Sequence, residues 1–264
     1  MPLTLPDNLN RLAAIALRAG REIMTIYGSN VTAREKADLS PVTEADEAAE
    51  RLILHELAAL DPGIPIVSEE AAAAGHIPET ADLFYLVDPL DGTKEFLTRN
   101  GEFTVNIGLV RDGRPICGVV YAPAKGEIFA GQVGQGAWCA KVNGEAMPEA
   151  LSWTNIQTRS ATPAEPVVVA SRSHMDARTE AWLKAKGRHS LKSAGSSLKF
   201  CLLAKGEADY YPRFGRTMEW DTAAGHAVLA AAGGSVATET GEPLTYGKAS
   251  SGYANPGFIA SAGA

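Results

Sequence analysis

Two helical patterns open the chain. Apolar residues recur every three or four positions over residues 9–27 and again over 45–57, a spacing that places them on one helix face. The second pattern stops before Pro62 and Gly63, a pair that a helix does not continue through. The sequence therefore predicts two amphipathic helices ahead of any sheet.

Short apolar runs typical of strands follow these helices. The runs occupy residues 64–67, 83–87, 103–110, 115–121, 127–130 and 136–139. Between two of them stands Asp112-Gly113, a pair that favours a tight hairpin turn. We expect a mainly antiparallel sheet packed against the two helices.

The pattern changes near residue 155. Residues 152–166 are rich in Ser, Thr, Asn and Pro and have no apolar periodicity. After them, strand-like and helical patterns alternate, beginning with the strand pattern at 167–170 and including a helical one at 221–232. We therefore predict two lobes, residues 1–155 and 156–264, in an α/β fold of the layered α+β sandwich kind.

The charge balance excludes some classes of binding partner. The 264 residues include 24 Lys and Arg against 31 Asp and Glu, which gives a formal net charge of −7. That sign argues against binding nucleic acid polymers or anionic membranes, and no apolar stretch approaches the roughly 20 residues of a membrane span. The three cysteines lie far apart without a CxxC pair, so we expect neither a disulfide framework nor a zinc site, and a reducing cytoplasm as the location.

The most informative segment is Leu-Val-Asp-Pro-Leu-Asp-Gly-Thr-Lys-Glu-Phe at residues 86–96. Pro89 fixes the backbone between Asp88 and Asp91, so both carboxylates and the Leu90 carbonyl can converge in the all-oxygen set that Mg²⁺ prefers. The amides of Gly92 and Thr93, at the start of a short helix, would then face a phosphate oxygen. The alternative is a polar turn in which the two carboxylates only satisfy backbone donors.

Three more acidic residues follow turn or cap patterns. Glu69 comes directly after the 64–67 run, where a solvated acidic turn is the alternative to a metal ligand. Asp221 stands where it could cap the helix that follows, and Asp46 fits a capping box with Thr43. Each of these signals is weak on its own.

Taken in order, the motifs resemble a known superfamily. Ser-Pro-Val-Thr-Glu-Ala-Asp (40–46), Ser-Glu-Glu (68–70), Asp-Pro-Leu-Asp-Gly-Thr-Lys-Glu-Phe (88–96) and Trp-Asp-Thr-Ala-Ala-Gly (220–225) are similar to the Mg²⁺-dependent, lithium-sensitive phosphatases that include inositol monophosphatase. The resemblance covers nearly the whole chain. It implies a two-lobed αβαβα architecture with the metal site between the lobes.

The resemblance also implies roles for individual residues. The family's ligands for two or three Mg²⁺ ions fall on Glu69, Asp88, the Leu90 carbonyl, Asp91 and Asp221. Its water-activating residues fall on Glu69, Thr93 and Asp46, where Asp46 accepts a hydrogen bond from Thr93. Bound cations would also explain how an acidic chain attracts an anionic substrate.

Two further segments, Gly-Ser-Ser-Leu-Lys-Phe (195–200) and Tyr-Pro-Arg-Phe-Gly (211–215), most resemble the bacterial 3′(2′),5′-bisphosphate nucleotidases of the CysQ type. The predicted substrate-binding residues are Gly92, Thr93, Ser196, Lys199, Arg213 and His174. For Lys199 the alternative is a solvated helix residue, and for His174 it is a surface loop. A guanidinium at Arg213 suits a second phosphate better than a sugar hydroxyl.

The resulting hypothesis is a phosphatase that hydrolyses adenosine 3′,5′-bisphosphate, a small nucleotide, to AMP and phosphate. Two alternatives remain open at this point. The first is an inositol or sugar monophosphatase, and the second is a non-catalytic sensor of phosphate or metal. The sequence sets no oligomeric state.

Overall fold

The structure is a computed structural model that describes residues 4–29, 33–35, 41–160, 163–170 and 175–263. The helices are α1 (Asp7–Tyr27), α2 (Glu44–Leu60), α3 (Glu69–Ala73), α4 (Thr93–Leu97), α5 (Ala177–Lys186), α6 (Leu198–Ala204) and α7 (Glu219–Ala231). The strands are β1 (Arg34–Glu35), β2 (Pro41–Val42), β3 (Ile66–Ser68), β4 (Leu83–Asp91), β5 (Thr104–Arg111), β6 (Arg114–Ala122), β7 (Glu127–Gln132), β8 (Gly136–Lys141), β9 (Thr154–Ile156), β10 (Val167–Ala170), β11 (Ser190–Ser193), β12 (Tyr210–Arg213), β13 (Ser235–Thr238) and β14 (Phe258–Ser261).

The larger sheet has the strand order β3-β4-β5-β6-β7-β8-β9. Strand β3 is parallel to β4, and every other neighbouring pair is antiparallel, as the hydrophobic pattern predicted. The predicted hairpin joins β5 to β6 through Asp112 and Gly113, both with positive φ, at 51° and 71°. Their backbone twist matches that of the flanking strands.

The helices and sheets form five layers. Helices α1 and α2 cover one face of the larger sheet, and α7 packs on its other face across β4 to β7 with α6 beside it. The second sheet, of order β11-β10-β12-β14-β13, lies beyond them, and α5 contacts β12 through Trp182 and Tyr210. This arrangement confirms the αβαβα architecture that the resemblance implied.

Strand β4 lies between two hydrophobic cores. Tyr85 and Val87 point into the core beneath α1 and α2, whereas Phe84 and Leu86 point into the core around α7. All four are at most 2% exposed. Burial on both faces explains why this strand reads as a continuous apolar run rather than an alternating one.

Glycines on the larger sheet allow α7 to approach closely. A Cβ atom at Gly118 would lie 2.4 Å from the Ala224 carbonyl oxygen, and one at Gly131 would lie 2.6 Å from the Val228 Cα. No side chain fits such a gap without a backbone shift. The close approach brings the first turn of α7 to the end of β4, where the site residues lie.

Some features differ from or extend the predictions. Strand β9 continues the larger sheet to residue 156, and α7 packs on that sheet from the other side of the predicted boundary, so the division at 155 stays a prediction. The pairing of β1 with β2 was not predicted. The three cysteines are free, as expected, and in the described part of the chain no helix is long and apolar enough to cross a membrane.

Candidate functional site

Four acidic side chains meet where two strands end and one helix begins. Asp88 and Asp91 lie at the carboxyl end of β4, and Glu69 follows the parallel strand β3 as the first residue of α3. Asp221 comes from the first turn of α7. Carboxylate oxygens of Glu69, Asp88 and Asp221 all lie within 4.8 Å of one another, and Asp91 lines the same cavity.

The local backbone explains how β4 presents two carboxylates. The pairing of β4 with β5 shifts between Asp88 and Asp91, and the Leu90 amide donates a 3.0 Å hydrogen bond to Asp88 Oδ1. Gly92 follows with φ 93° and ψ 47°, a left-handed conformation, and a Cβ there would lie 2.3 Å from Ser196 Oγ. The glycine therefore allows both the sharp turn into α4 and the close contact with the 195–200 segment.

The electrostatics of this cluster favour a bound cation. Burial raises the pKa of Asp91 to about 6, with Glu69 and Glu95 adding to the rise while Lys199 opposes it. Burial, together with Asp91 and Glu69, also raises the pKa of Asp221 well above its usual value. A partly buried, mutually repelling set of carboxylate oxygens fits a hard divalent cation such as Mg²⁺, which would remove the repulsion.

Asp46 performs two functions with its two oxygens. Its Oδ2 accepts hydrogen bonds from the Thr43 amide at 2.8 Å and the Thr43 hydroxyl at 2.6 Å, which completes the capping box of α2. Its Oδ1 lies 3.1 Å from Thr93 Oγ1 and accepts that hydroxyl proton. With its proton directed at Asp46, the Thr93 hydroxyl is left to accept a hydrogen bond from the cavity side.

The capping role of Asp221 is also present. Its Oδ2 accepts a 2.8 Å hydrogen bond from the Met218 amide, and its backbone carbonyl accepts one of 2.6 Å from Ser197 Oγ. One carboxylate oxygen therefore fixes the start of α7. The same side chain lines the cavity, so capping and metal binding are compatible rather than competing roles.

A cavity of about 280 Å³ brings the predicted residues together. All five predicted metal ligands line it, and so do all the predicted substrate-binding residues that the structure describes. Asp46 does not line the cavity, but it accepts a hydrogen bond from Thr93, which does. His174 and Ser40 lie outside the described residues, so the role of His174 stays a prediction.

Positively charged side chains line the same cavity as the carboxylates. Lys199 is 5% exposed, so the solvated-helix alternative is wrong; its Nζ donates to the Ser196 carbonyl at 2.7 Å, and burial lowers its pKa to about 8. Arg213 donates from Nη2 to the Arg216 carbonyl at 3.2 Å, and its buried Nε has no hydrogen-bond partner among the described residues. Arg213 also lines the cavity, so its guanidinium group is available to an anionic ligand there.

Ser196 makes contacts within the protein that the sequence did not suggest. Its hydroxyl lies 2.8 Å from the carbonyl oxygens of both Asp91 and Glu102, and its φ is 48°. The Gly195 amide also donates to Glu102 Oε2 at 3.0 Å. The hydroxyl fastens the start of the 195–200 segment to the end of β4, and its role in substrate binding stays a prediction.

Sequence reasoning missed several residues of the site. Glu95 and Arg216 line the cavity, and Asn106 Nδ2 lies 3.4 Å from Asp91 Oδ2. Asn106 is fully buried in a mostly apolar strand. A buried amide in such a run is a signal that could have been used, because it must find a polar partner.

Comparison with known proteins gives a consistent result. The model of the inositol monophosphatase family matches residues 7–262. The 3′(2′),5′-bisphosphate nucleotidase CysQ of Escherichia coli (strain K12) is 47% identical over 252 residues, which are 95% of this chain and 98% of that protein.

Solved structures show the same similarity. CysQ from Bacteroides thetaiotaomicron, described as a bacterial member of the inositol monophosphatase family, superposes with a TM-score of 0.79 at 40% identity, covering 96% of this chain and 97% of its own. An IMPase of Thermotoga maritima gives a TM-score of 0.78 at 26% identity, covering 97% of this chain and 92% of its own.

Proposed function

Because this chain belongs to the inositol monophosphatase family, we propose that it is a phosphoric monoester hydrolase that removes the 3′-phosphate of adenosine 3′,5′-bisphosphate and releases AMP. The name of its Escherichia coli relative, a 3′(2′),5′-bisphosphate nucleotidase, supports this substrate class. A small nucleotide is the proposed partner, and the cytoplasm is the proposed location.

One observation carries the proposal. A single cavity is lined by a carboxylate cluster suited to Mg²⁺ and by two cations, the buried Lys199 and the half-buried Arg213. A metal site made of carboxylates alone would not distinguish one phosphate monoester from another. The additional cations favour a substrate that carries a second phosphate, since a guanidinium binds phosphate oxygens through a planar pair of donors.

Five groups would hold two or three Mg²⁺ ions: the side chains of Glu69, Asp88, Asp91 and Asp221 and the carbonyl oxygen of Leu90. Bound there, Mg²⁺ supplies positive charge that activates water and neutralises phosphate oxygens. The amides of Gly92 and Thr93 would bind a phosphate oxygen at the start of the turn into α4. Lys199 and Arg213 would hold the phosphate that is not cleaved.

Thr93 and Asp46 would orient the attacking water. The hydroxyl of Thr93 donates to Asp46, so it accepts a hydrogen bond from water and fixes the direction of one water proton. Glu69 would accept a proton as the water oxygen bonds to phosphorus. The bond from phosphorus to the ribose 3′-oxygen breaks in the same displacement, and that oxygen takes up a proton from solvent to become the 3′-hydroxyl of AMP. The pair of Thr93 and Asp46 also favours an enzyme over a sensor, because metal binding alone would not need the Thr93 hydroxyl.

A direct assay tests the proposal. In the presence of Mg²⁺ we expect kcat/KM for phosphate release from adenosine 3′,5′-bisphosphate to exceed that from inositol 1-phosphate by at least roughly 10-fold, the factor that one ~1.4 kcal/mol interaction provides. EDTA should abolish both activities. A preference for inositol 1-phosphate would favour the monophosphatase alternative, and no Mg²⁺-dependent release from either would favour the sensor.

Thermal stability provides a second test that needs no substrate. The carboxylates repel one another without a cation, so Mg²⁺ at about 100 times its dissociation constant should add ~2.7 kcal/mol to the free energy of unfolding, if it binds only the native state. For a chain of this size that corresponds to a Tm increase of about 5–10 °C relative to EDTA. NaCl at matched ionic strength is the control, and an equal Tm in EDTA and Mg²⁺ would contradict the proposed metal site.

A further inference from the structure

Besides Asp46, a second acidic residue of α2 contacts a segment that lines the site. Glu50 follows Asp46 by four positions, so the two side chains share one face of the helix. Asp46 holds Thr93, as described above. Glu50 Oε1 accepts a short hydrogen bond from the Ser68 hydroxyl and further ones from the amides of Glu70 and Ala71, both at 3.1 Å.

These contacts replace an ordinary helix cap. Helix α3 has five residues, and Ser68, which precedes it, makes no side-chain hydrogen bond to the helix amides. The amides of Glu70 and Ala71 are instead satisfied by a carboxylate from another helix. A helix this short is not stable in isolation, so its position depends on such contacts.

Glu69 lies between the residues that Glu50 binds. Ser68 precedes it and Glu70 follows it, and its carboxylate is the one that α3 contributes to the cluster with Asp88 and Asp221. We propose that Glu50 is a positioning residue that sets the geometry of Glu69 toward a bound cation. This inference rests on the proposed function only in taking Glu69 as an Mg²⁺ ligand.

The experiment measures Mg²⁺ binding by isothermal titration calorimetry, without substrate. Glu50→Ala should raise the Mg²⁺ dissociation constant at least about 10-fold, the lower end of what is lost when a partner of a metal ligand is removed. Glu50→Gln keeps an oxygen that accepts the same hydrogen bonds, so its dissociation constant should stay within about 3-fold of wild type. Saturating Mg²⁺ should restore the kcat of Glu50→Ala to within about 3-fold.

Glu56→Ala is the matched control. Glu56 lies on the same helix and binds Arg18 of α1 through a bidentate ion pair, so its removal weakens helix packing without touching α3. If Glu50→Ala is not recovered as a folded protein, Glu50→Asp replaces it, because the shorter side chain withdraws the oxygen from the α3 amides. The expected increase in the dissociation constant is then at least about 5-fold.

Three results would overturn the positioning role: unchanged Mg²⁺ affinity in the Glu50→Ala or Glu50→Asp protein, an equal loss in Glu50→Gln, or an equal loss in Glu56→Ala. The wild-type protein separates this failure from failure of the proposed function. If wild type binds Mg²⁺ and hydrolyses the bisphosphate while Glu50→Ala binds Mg²⁺ equally well, only the positioning role is wrong.

Discussion

Asp91→Asn is expected to lower kcat toward adenosine 3′,5′-bisphosphate by at least ~100-fold at saturating Mg²⁺, the order of loss that follows removal of a charge-stabilising group. The substitution is nearly isosteric and removes one negative charge from the cluster. The Asp91 side chain accepts a hydrogen bond from Asn106, and its backbone carbonyl accepts one from the Ser196 hydroxyl. The backbone should therefore keep its place, and the loss should reflect charge alone.

Steady-state phosphate release, with Mg²⁺ varied, measures this effect. Asp112→Asn is the matched control, because the exposed hairpin residue has a φ of 51°, which asparagine also tolerates. The control should retain wild-type kcat. Near-normal turnover of Asp91→Asn at saturating Mg²⁺ would remove Asp91 from the set of metal ligands.

Arg213→Ala is expected to cost roughly 10- to 150-fold in kcat/KM toward adenosine 3′,5′-bisphosphate. A hydrogen bond to a charged group contributes about 1.5–3 kcal/mol, and 1.36 kcal/mol corresponds to a factor of ten. Toward adenosine 3′-monophosphate the loss should be small, because that substrate lacks the phosphate that Arg213 would hold. Arg213→Lys should recover only part of the loss, since a point charge lacks the bidentate fork.

The ratio of the two kcat/KM values, measured in parallel, is the decisive quantity. Arg188→Ala is the control, because the Arg188 side chain is 89% exposed and pairs only loosely with Glu165, at 3.8 Å. Equal losses on both substrates would show that Arg213 supports the fold or the metal site instead. The inositol or sugar monophosphatase alternative would then account better for the cavity.

Local patterns predicted most of the architecture. The two helices of the first lobe, the meander of β4 to β8 and the hairpin at Asp112-Gly113 all follow from apolar spacing and turn residues, which depend on neighbours in sequence. The strands β1, β2, β9, β11, β13 and β14 were not predicted. They are two to four residues long, too short for periodicity to distinguish them from loops.

The candidate site could be predicted from the sequence because its proposed ligands stand in compact motifs. One strand, the register shift within it and the turn at Gly92 position Asp88, Asp91 and Thr93, so the order of these residues along the chain already specifies most of their arrangement. No single motif shows whether Glu69 and Asp221 lie beside Asp88 and Asp91. The four motifs together predicted that they do, and the short distances among the carboxylate oxygens of Glu69, Asp88 and Asp221 agree with this prediction.

Only the tertiary structure decided how these residues are supported. Glu50 reads as an ordinary helix acid, Ser196 as a substrate-binding hydroxyl and Lys199 as a possible surface residue. In the fold, Glu50 caps α3, Ser196 joins two segments about a hundred residues apart, and Lys199 is buried beside Asp91. The sequence determined which chemical groups are present and their local geometry. Burial and long-range hydrogen bonds depend on packing between layers, and no local pattern encodes them.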